Sequence, residues 1–246
     1  MNYLHLEEVD STNSYIMREI ASLESPVMVT AHTQTAGQGQ RGNSWESQPG
    51  ANLTFSVFYR PAGLPPMAQF SLSEAVALSV VDFLRRYGVE AKVKWPNDIY
   101  VGDRKICGIL IRHSVMGACV SYSVIGVGIN INQTEFLSDA PNPVSVSQVT
   151  GERYDLRKME TEVAEILESR LEEIRSAESR RKLHSEFMGS LWRGDGKLYS
   201  FTDTATGERF MAVIADIAPH GPITLRCRDG SERTYAFKEV SFNLNG

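Results

Sequence analysis

Cysteine and histidine are scarce in this chain of 246 residues, with three and five copies. Cys107, Cys119 and Cys227 are odd in number and lack any C-x-x-C spacing. They fit a reduced cytosol better than a disulfide framework or a zinc site. The scattered histidines (His5, His32, His113, His184 and His220) offer no metal-ligand spacing. A basic excess is missing too: 25 Lys and Arg stand against 30 Asp and Glu, a net charge of −5. That balance argues against a non-specific grip on nucleic acid, which needs a positive surface. No run approaches the ~18 consecutive apolar residues of a membrane span. The start, MNYLHLEEVD, has no basic segment leading into an apolar one, so no signal peptide is read. The expectation is a cytoplasmic protein with no membrane contact.

What is present is an ordinary globular composition, 42% apolar and 22% charged. The length suits one large domain, or a medium domain plus a small one. Asp10-Ser-Thr-Asn opens a short helical pattern to about Leu23, with Asp10 or Ser11 as N-cap. Val27 to Thr33 and Leu53 to Tyr59 read as strands. Between them Gly37, Gly39 and Gly42 have the spacing G-x-G-x-x-G. A dinucleotide-binding loop needs its third glycine at the start of a helix. Here Gln48-Pro-Gly-Ala-Asn and a strand follow instead, and that reading falls.

Pro65-Pro66 introduces a helix whose apolar face is Leu72, Ala75, Val76, Ser79, Val80, Phe83 and Leu84, closed by Gly88. Ala91 to Trp95, Lys105 to Arg112 and Cys119 to Ile131 are β-like, with a tight hairpin between Tyr100 and Arg104. Pro141 to Gly151 reads as loop with a helical turn at Ser145 to Val149. An amphipathic helix runs from Leu156 towards Met188. Beyond Trp192, five short strands (197–201, 208–217, 223–228, 231–237 and 240–244) alternate with glycine turns, as in a small β-barrel. It is too small to stand alone and should dock on the larger part. The division expected is 1–190 and 191–246.

Four segments, Asp10-Ser-Thr-Asn13 and the glycine-rich loop among them, carry more polarity than a core needs. Lys94-Trp-Pro-Asn-Asp98 stops a strand at Pro96 and presents Asn97 beside Asp98. In Asp103-Arg-Lys105-Ile-Cys-Gly108, the lysine begins a strand and the glycine leaves room for a close approach to the backbone. Gly126-Val-Gly128-Ile-Asn130 repeats that signal, and the glycine-rich loop adds Gln34, Gln38, Gln40, Arg41 and Trp45.

In this order and spacing, DSTN, TAGQGQRGNSW, KWPND, DRKICGIL, GVGININ and the β-rich tail resemble the biotin protein ligases over nearly the whole chain. The resemblance is to the monofunctional type without an N-terminal DNA-binding domain. It implies an α/β (α+β) fold: a mixed-sheet catalytic domain of the class II aminoacyl-tRNA synthetase type, followed by an SH3-like barrel. It implies activation of biotin by ATP with Mg²⁺, then transfer of the biotinyl group to a lysine of a carrier domain. No operator DNA binding is expected, and a homodimer stays open. Lys105 matches the catalytic lysine of the family, and Arg41 should contact the phosphates. Ser11, Thr12, Asn13, Gln34, Gln38, Gly39 and Gln40 fall to the biotin side, with Lys105 at its carboxylate. Trp45, Asn97, Asp98 and Asn130 fall to the nucleotide, Asp98 serving either Mg²⁺ or the orientation of Lys105.

The chain departs from the pattern in two places. Many relatives have arginine where Gln38 and Gln40 stand, which leaves Arg41 as the only cation of the loop. A glutamate often stands where this chain has Arg112, so no role is carried there. Lipoate ligases share the fold and a catalytic lysine, but their glycine-rich motif differs from TAGQGQRGNSW. A non-catalytic biotin sensor would not need both Arg41 and Lys105.

Overall fold

The computed structural model describes residues 1–137 and 142–243, with the side chain of Arg41 left out. Pro141 and Leu244, which end two of the expected segments, lie outside the described residues.

The chain begins with β1 (Asn2–Val9), crosses through α1 (Thr12–Glu19) and returns as β2 (Val27–Gln34). These two strands are parallel, as a helical crossover requires. Next come β3 (Leu53–Tyr59), α2 (Phe70–Arg86), β4 (Lys92–Lys94), β5 (Asp98–Val101), β6 (Arg104–Met116) and β7 (Cys119–Ile129). One seven-stranded mixed sheet results, in the order β1-β2-β3-β7-β6-β5-β4. All seven residues of β3 are buried, so this strand is covered on both faces.

Every residue expected on the apolar face of α2 is buried, from Leu72 to Leu84. A one-turn 3-10 helix, Pro66–Ala68, leads into it, and Gly88 ends it with φ +71°. Among the described residues the stretch Pro66–Arg86 is long and apolar enough to cross a membrane by length and composition. Its most apolar window is 72% buried inside the fold, the position of a core helix. A short helix, α3 (Val146–Thr150), starts from a capping box of Ser145 and Gln148.

Two differences from the sequence reading have local causes. The long helix expected to Met188 is two, α4 (Leu156–Glu172) and α5 (Ala177–Gly189). Ser176 restarts the chain as N-cap, its Oγ accepting from the Ser179 amide, while Arg180 donates to the free Ile174 carbonyl at 2.7 Å. Likewise α1 stops at Glu19 rather than near Leu23, because the Ser22 amide and hydroxyl both turn back to the Glu19 carbonyl.

After α5 come β8 (Tyr199–Asp203), β9 (Arg209–Ile217), β10 (Ile223–Cys227), β11 (Glu232–Tyr235) and β12 (Val240–Phe242). They form an antiparallel sheet in the order β11-β10-β9-β8-β12. This small sheet is docked on the first by specific contacts. Trp95 Nε1 donates to the Gly221 carbonyl at 2.9 Å, and Trp192 Nε1 to that of Gly102 at 2.9 Å. Rings of Tyr100, Trp192, Phe242 and Phe201 continue from one sheet into the other.

A third tie is ionic. His184 on α5 holds Glu74 of α2 at 2.6 Å and Asp216 of β9 at 3.4 Å. Hydrogen bonding to Glu74 raises the His184 pKa above its ordinary 6.5. Because the native value exceeds the unfolded one, the bridge stabilises fully below about pH 6.5 and fades as pH rises through the raised native value. Burial raises Glu74 as well, so its contribution falls with pH in the same sense but from about 4.5 upward, and the slope above about pH 6.5 belongs to His184. Melting temperature should therefore fall as pH rises above about 6.5, with a shallower slope in His184→Gln; parallel slopes would remove the bridge from the account.

Candidate functional site

One cavity of about 1090 Å³ opens over the centre of the large sheet. Its floor is β3, β7, β6 and β5, its lid the segment from Gly37 to Glu46, and its far wall β12 with the turn before it. The glycine-rich segment is a hairpin-like loop: the Trp45 amide donates to the Gly37 carbonyl at 2.9 Å and that of Gly39 to Asn43 at 2.7 Å. Gln40–Gly42 is one 3-10 turn, so no helix N-terminus is formed after the third glycine.

Gly108 and Gly128 face each other in the β6–β7 ladder. Their missing side chains leave a flat patch occupied by the Trp45 indole. A Cβ at Gly108 would sit 2.8 Å from Trp45 Cζ3, and one at Gly128 only 2.5 Å from its Nε1. The room these glycines promise is thus taken by a side chain of the lid itself.

The start of α1 forms one end. Ser11, Thr12 and Asn13 are 2%, 2% and 3% exposed. The Thr12 amide and hydroxyl both donate to Gln34 Oε1, at 2.8 and 3.1 Å, and Ser56 Oγ is 2.8 Å from Thr12 Oγ1. Asn13 differs, because its Oδ1 and Nδ2 are both buried with no hydrogen-bond partner. Gln40 Oε1 and Trp45 Nε1 are likewise buried and unpartnered, and all three side chains line the cavity. A buried amide left unpaired costs about 1–3 kcal/mol, so such groups mark where a ligand would bind.

Across the cavity, Lys105 Nζ lies 2.7 Å from Asp98 Oδ1, with both side chains about one-quarter to one-fifth exposed (24% and 20%). The ammonium also stands 5.8 Å over the Trp45 ring. Asp98 opens β5, in register with Gly108. Asn97 fixes that turn by donating to the Ile109 carbonyl at 2.7 Å, and Asn130 donates to that of Val144 at 3.1 Å.

Ser11, Thr12, Asn13, Gln34, Gln38, Gly39, Gln40, Trp45, Asn97, Asp98, Lys105 and Asn130, singled out from sequence, all line this cavity. Arg41 is described only through its backbone in the 3-10 turn. Gln38 has both ends of its amide engaged: Nε2 donates to Ser14 at 2.9 Å and Oε1 accepts from Arg112 at 2.9 Å. It clasps the lid to α1 and β6. The sequence reading missed Ser56 and the contribution of the small sheet, including Lys238 and Phe242. Alternation in β3 gave no hint that Ser56 would meet Thr12. Among the described residues no group of three His, Cys, Asp or Glu gathers to hold a metal ion. Asp98, the carboxylate nearest Lys105, is already paired with it.

The model of the biotin/lipoate A/B protein ligase family matches residues 6–130. The bifunctional ligase/repressor BirA of Escherichia coli is 40% identical over 127 residues, which are 51% of this chain but 39% of that protein. The biotin--[acetyl-CoA-carboxylase] ligase of Paracoccus denitrificans is 33% identical over 61% of this chain and 65% of its own length. The match therefore spans less than two thirds of either relative. In structure, the Aquifex aeolicus biotin protein ligase in complex with biotin and ATP superposes with a TM-score of 0.80, covering 98% of both chains at 22% identity. That likeness establishes a shared fold.

Proposed function

The chain belongs to the biotin/lipoate A/B protein ligase family, and from that premise we propose that it is an ATP-dependent biotin protein ligase. One observation carries the choice: a single cavity holds a buried, unpartnered Asn13 amide at one end and the Lys105–Asp98 pair at the other. The ureido ring of biotin has a carbonyl acceptor and N–H donors, which suit an amide with both ends unspent. The dithiolane ring of lipoate has neither, and would leave Asn13 unpaired at a cost. The relatives' names support the same substrate.

In this reading the biotin carboxylate reaches Lys105. One carboxylate oxygen attacks the α-phosphorus of ATP, the bond to the β-phosphate oxygen breaks, and pyrophosphate leaves. Two unit charges of like sign ~4 Å apart repel by about 4 kcal/mol at an effective dielectric of 20. Lys105 offsets this repulsion, Asp98 holds the ammonium in place, and Arg41 with the loop amides meets the phosphates. Trp45 walls the nucleotide, near Asn97 and Asn130. Mg²⁺ would enter with ATP as part of that substrate, with Asp98 the carboxylate placed to meet it if it is not spent on Lys105. The amine of a carrier lysine then attacks the biotinyl carbonyl, AMP leaves with the bonding electrons, and a proton is released. A carrier domain is thus the partner, residues 1–190 the ligase unit, 191–246 the accessory unit, and the cytoplasm the setting.

The test is pyrophosphate release from ATP. It should depend on biotin, be weak with lipoate, and be followed by a biotinyl mass increment on an apo carrier domain. Release with lipoate alone would overturn the reading.

The lid has one cation, Arg41, within residues 34–46, and Gln38 is engaged elsewhere. Relative to a Gln40→Arg variant, which adds a charged hydrogen bond of about 1.5–3 kcal/mol, the adenylate should escape roughly 10- to 100-fold faster. Filtrates of acceptor-free reactions should contain biotinyl-AMP; undetectable release would count against the argument.

A further inference from the structure

Two of the departures visible in the sequence meet in space. Gln38 stands in the lid and Arg112 on β6, 74 residues apart, yet Arg112 Nη2 donates to Gln38 Oε1 at 2.9 Å. The other end of the same amide, Nε2, donates to Ser14 Oγ at 2.9 Å. A guanidinium has donors only, so it takes the amide oxygen and leaves the NH₂ group to α1. Many relatives have arginine on the loop and glutamate on the strand at these positions. Here the cation is on the strand and the loop offers a neutral acceptor.

This one side chain has few helpers. The chain entering the loop is held at Thr35 and Ala36, whose amides donate to the Val9 and Asp10 carbonyls at 2.9 and 2.8 Å. Gln38 then faces Ser44 across the base of the hairpin. Bonds from Trp45 to Gly37 and from Gly39 to Asn43 shape the loop but do not position it. Among the described residues, no other side chain of residues 37–45 is hydrogen-bonded outside the loop. Beyond Ala36, the lid is thus held by the Trp45 indole on one side and the Gln38 amide on the other.

The register of β6 says which end of the cavity is closed. Leu110 pairs with Gly126, where an added Cβ would lie 3.3 Å from Asn13 Nδ2. Arg112 is two residues further along, on the same face of the strand. From Lys105 it is seven residues away, about 23 Å of extended chain. Neither Arg112 nor Ser14 lines the cavity. Their bonds to Gln38 lie outside the Asn13 end, far from the Lys105–Asp98 pair.

We propose that Arg112 and Ser14, acting through Gln38, are positioning residues that hold the lid shut over the ring end of bound biotin. The inference deepens the ligase reading above and rests on it. A fastening at the ring end slows the escape of biotin and of biotinyl-AMP by one factor. A phosphate contact such as that of Arg41 holds the adenylate alone.

The experiment measures dissociation of biotin and of synthetic biotinyl-AMP from the full chain by stopped-flow displacement, without a carrier domain. Gln38 and Arg112 are both exposed, so their variants leave the core untouched. Arg112→Ala should speed the release of both ligands about three- to tenfold, the worth of one hydrogen bond, and by the same factor for each. Gln38→Arg alone sets two guanidiniums face to face and should speed both at least as much, although it adds a cation to the lid. The double variant Gln38→Arg/Arg112→Glu rebuilds the link as an ion pair. It should restore slow release, now weakening as salt is raised. Unchanged release in Arg112→Ala, better retention of adenylate in Gln38→Arg, or no recovery in the double variant would overturn the fastening while leaving the ligase reading intact. No binding of biotin by the unaltered protein would instead sink that reading, and this inference with it.

Discussion

Lys105→Ala should lower adenylate formation about 100- to 1000-fold while the protein stays folded. The size follows from removing one preorganised charge aimed at a developing anion, worth about 3–4 kcal/mol. The fold is spared because the Lys105–Asp98 pair is partly open to solvent, and such pairs contribute about 1 kcal/mol or less to stability. The deletion has a second effect. It leaves the Asp98 carboxylate facing the incoming phosphates, so like charge is added where opposite charge was removed. Lys105→Ala/Asp98→Asn should therefore bind ATP more tightly than Lys105→Ala alone. Single-turnover formation of biotinyl-AMP, with calorimetric unfolding as the control, checks both expectations. Normal turnover in Lys105→Ala would end the role assigned to that residue.

Asn13→Leu should make the free protein more stable and disable it. The Asn13 amide is 3% exposed and bonded to nothing at either end. Replacing it with an apolar side chain of similar volume removes an unsatisfied group that costs about 1–3 kcal/mol. In a chain of this size each kcal/mol is worth about 2–4 °C in melting temperature. Biotin would lose both hydrogen bonds and bring its own polar ring into an apolar corner, weakening binding roughly 100-fold or more. Scanning calorimetry without biotin and titration with it measure the two effects separately. A lower melting temperature with unchanged biotin affinity would make Asn13 a structural residue only.

Local pattern reached far into the fold. The bounds of β3 follow from its composition, and the proline and strand after the glycine-rich segment already tell against a dinucleotide-binding loop. The core helix is visible in its spacing and its flanking Pro66 and Gly88. Room at Gly108 and Gly128 was legible too, but not its occupant. The Trp45 indole arrives from a distant part of the chain, and such a meeting leaves no trace in either local pattern. The same holds for Thr12 with Ser56 and for Lys94 with Phe242, each joining segments far apart in sequence. Gln38 lines the cavity as expected, and its bonds to Ser14 and Arg112, which join distant segments, were not visible in the local pattern. The break between α4 and α5 was written locally, in Ser176, but an apolar spacing that continued through it masked the signal.

The most direct measurement is a structure of the protein bound to a non-hydrolysable analogue of biotinyl-AMP. The account predicts the ureido ring against the Asn13 amide, the phosphoryl group within hydrogen-bond reach of Lys105 Nζ, and the Arg41 guanidinium turned to the same phosphate. A phosphoryl group lying elsewhere, with residues 41 and 105 facing separate spaces, would contradict it.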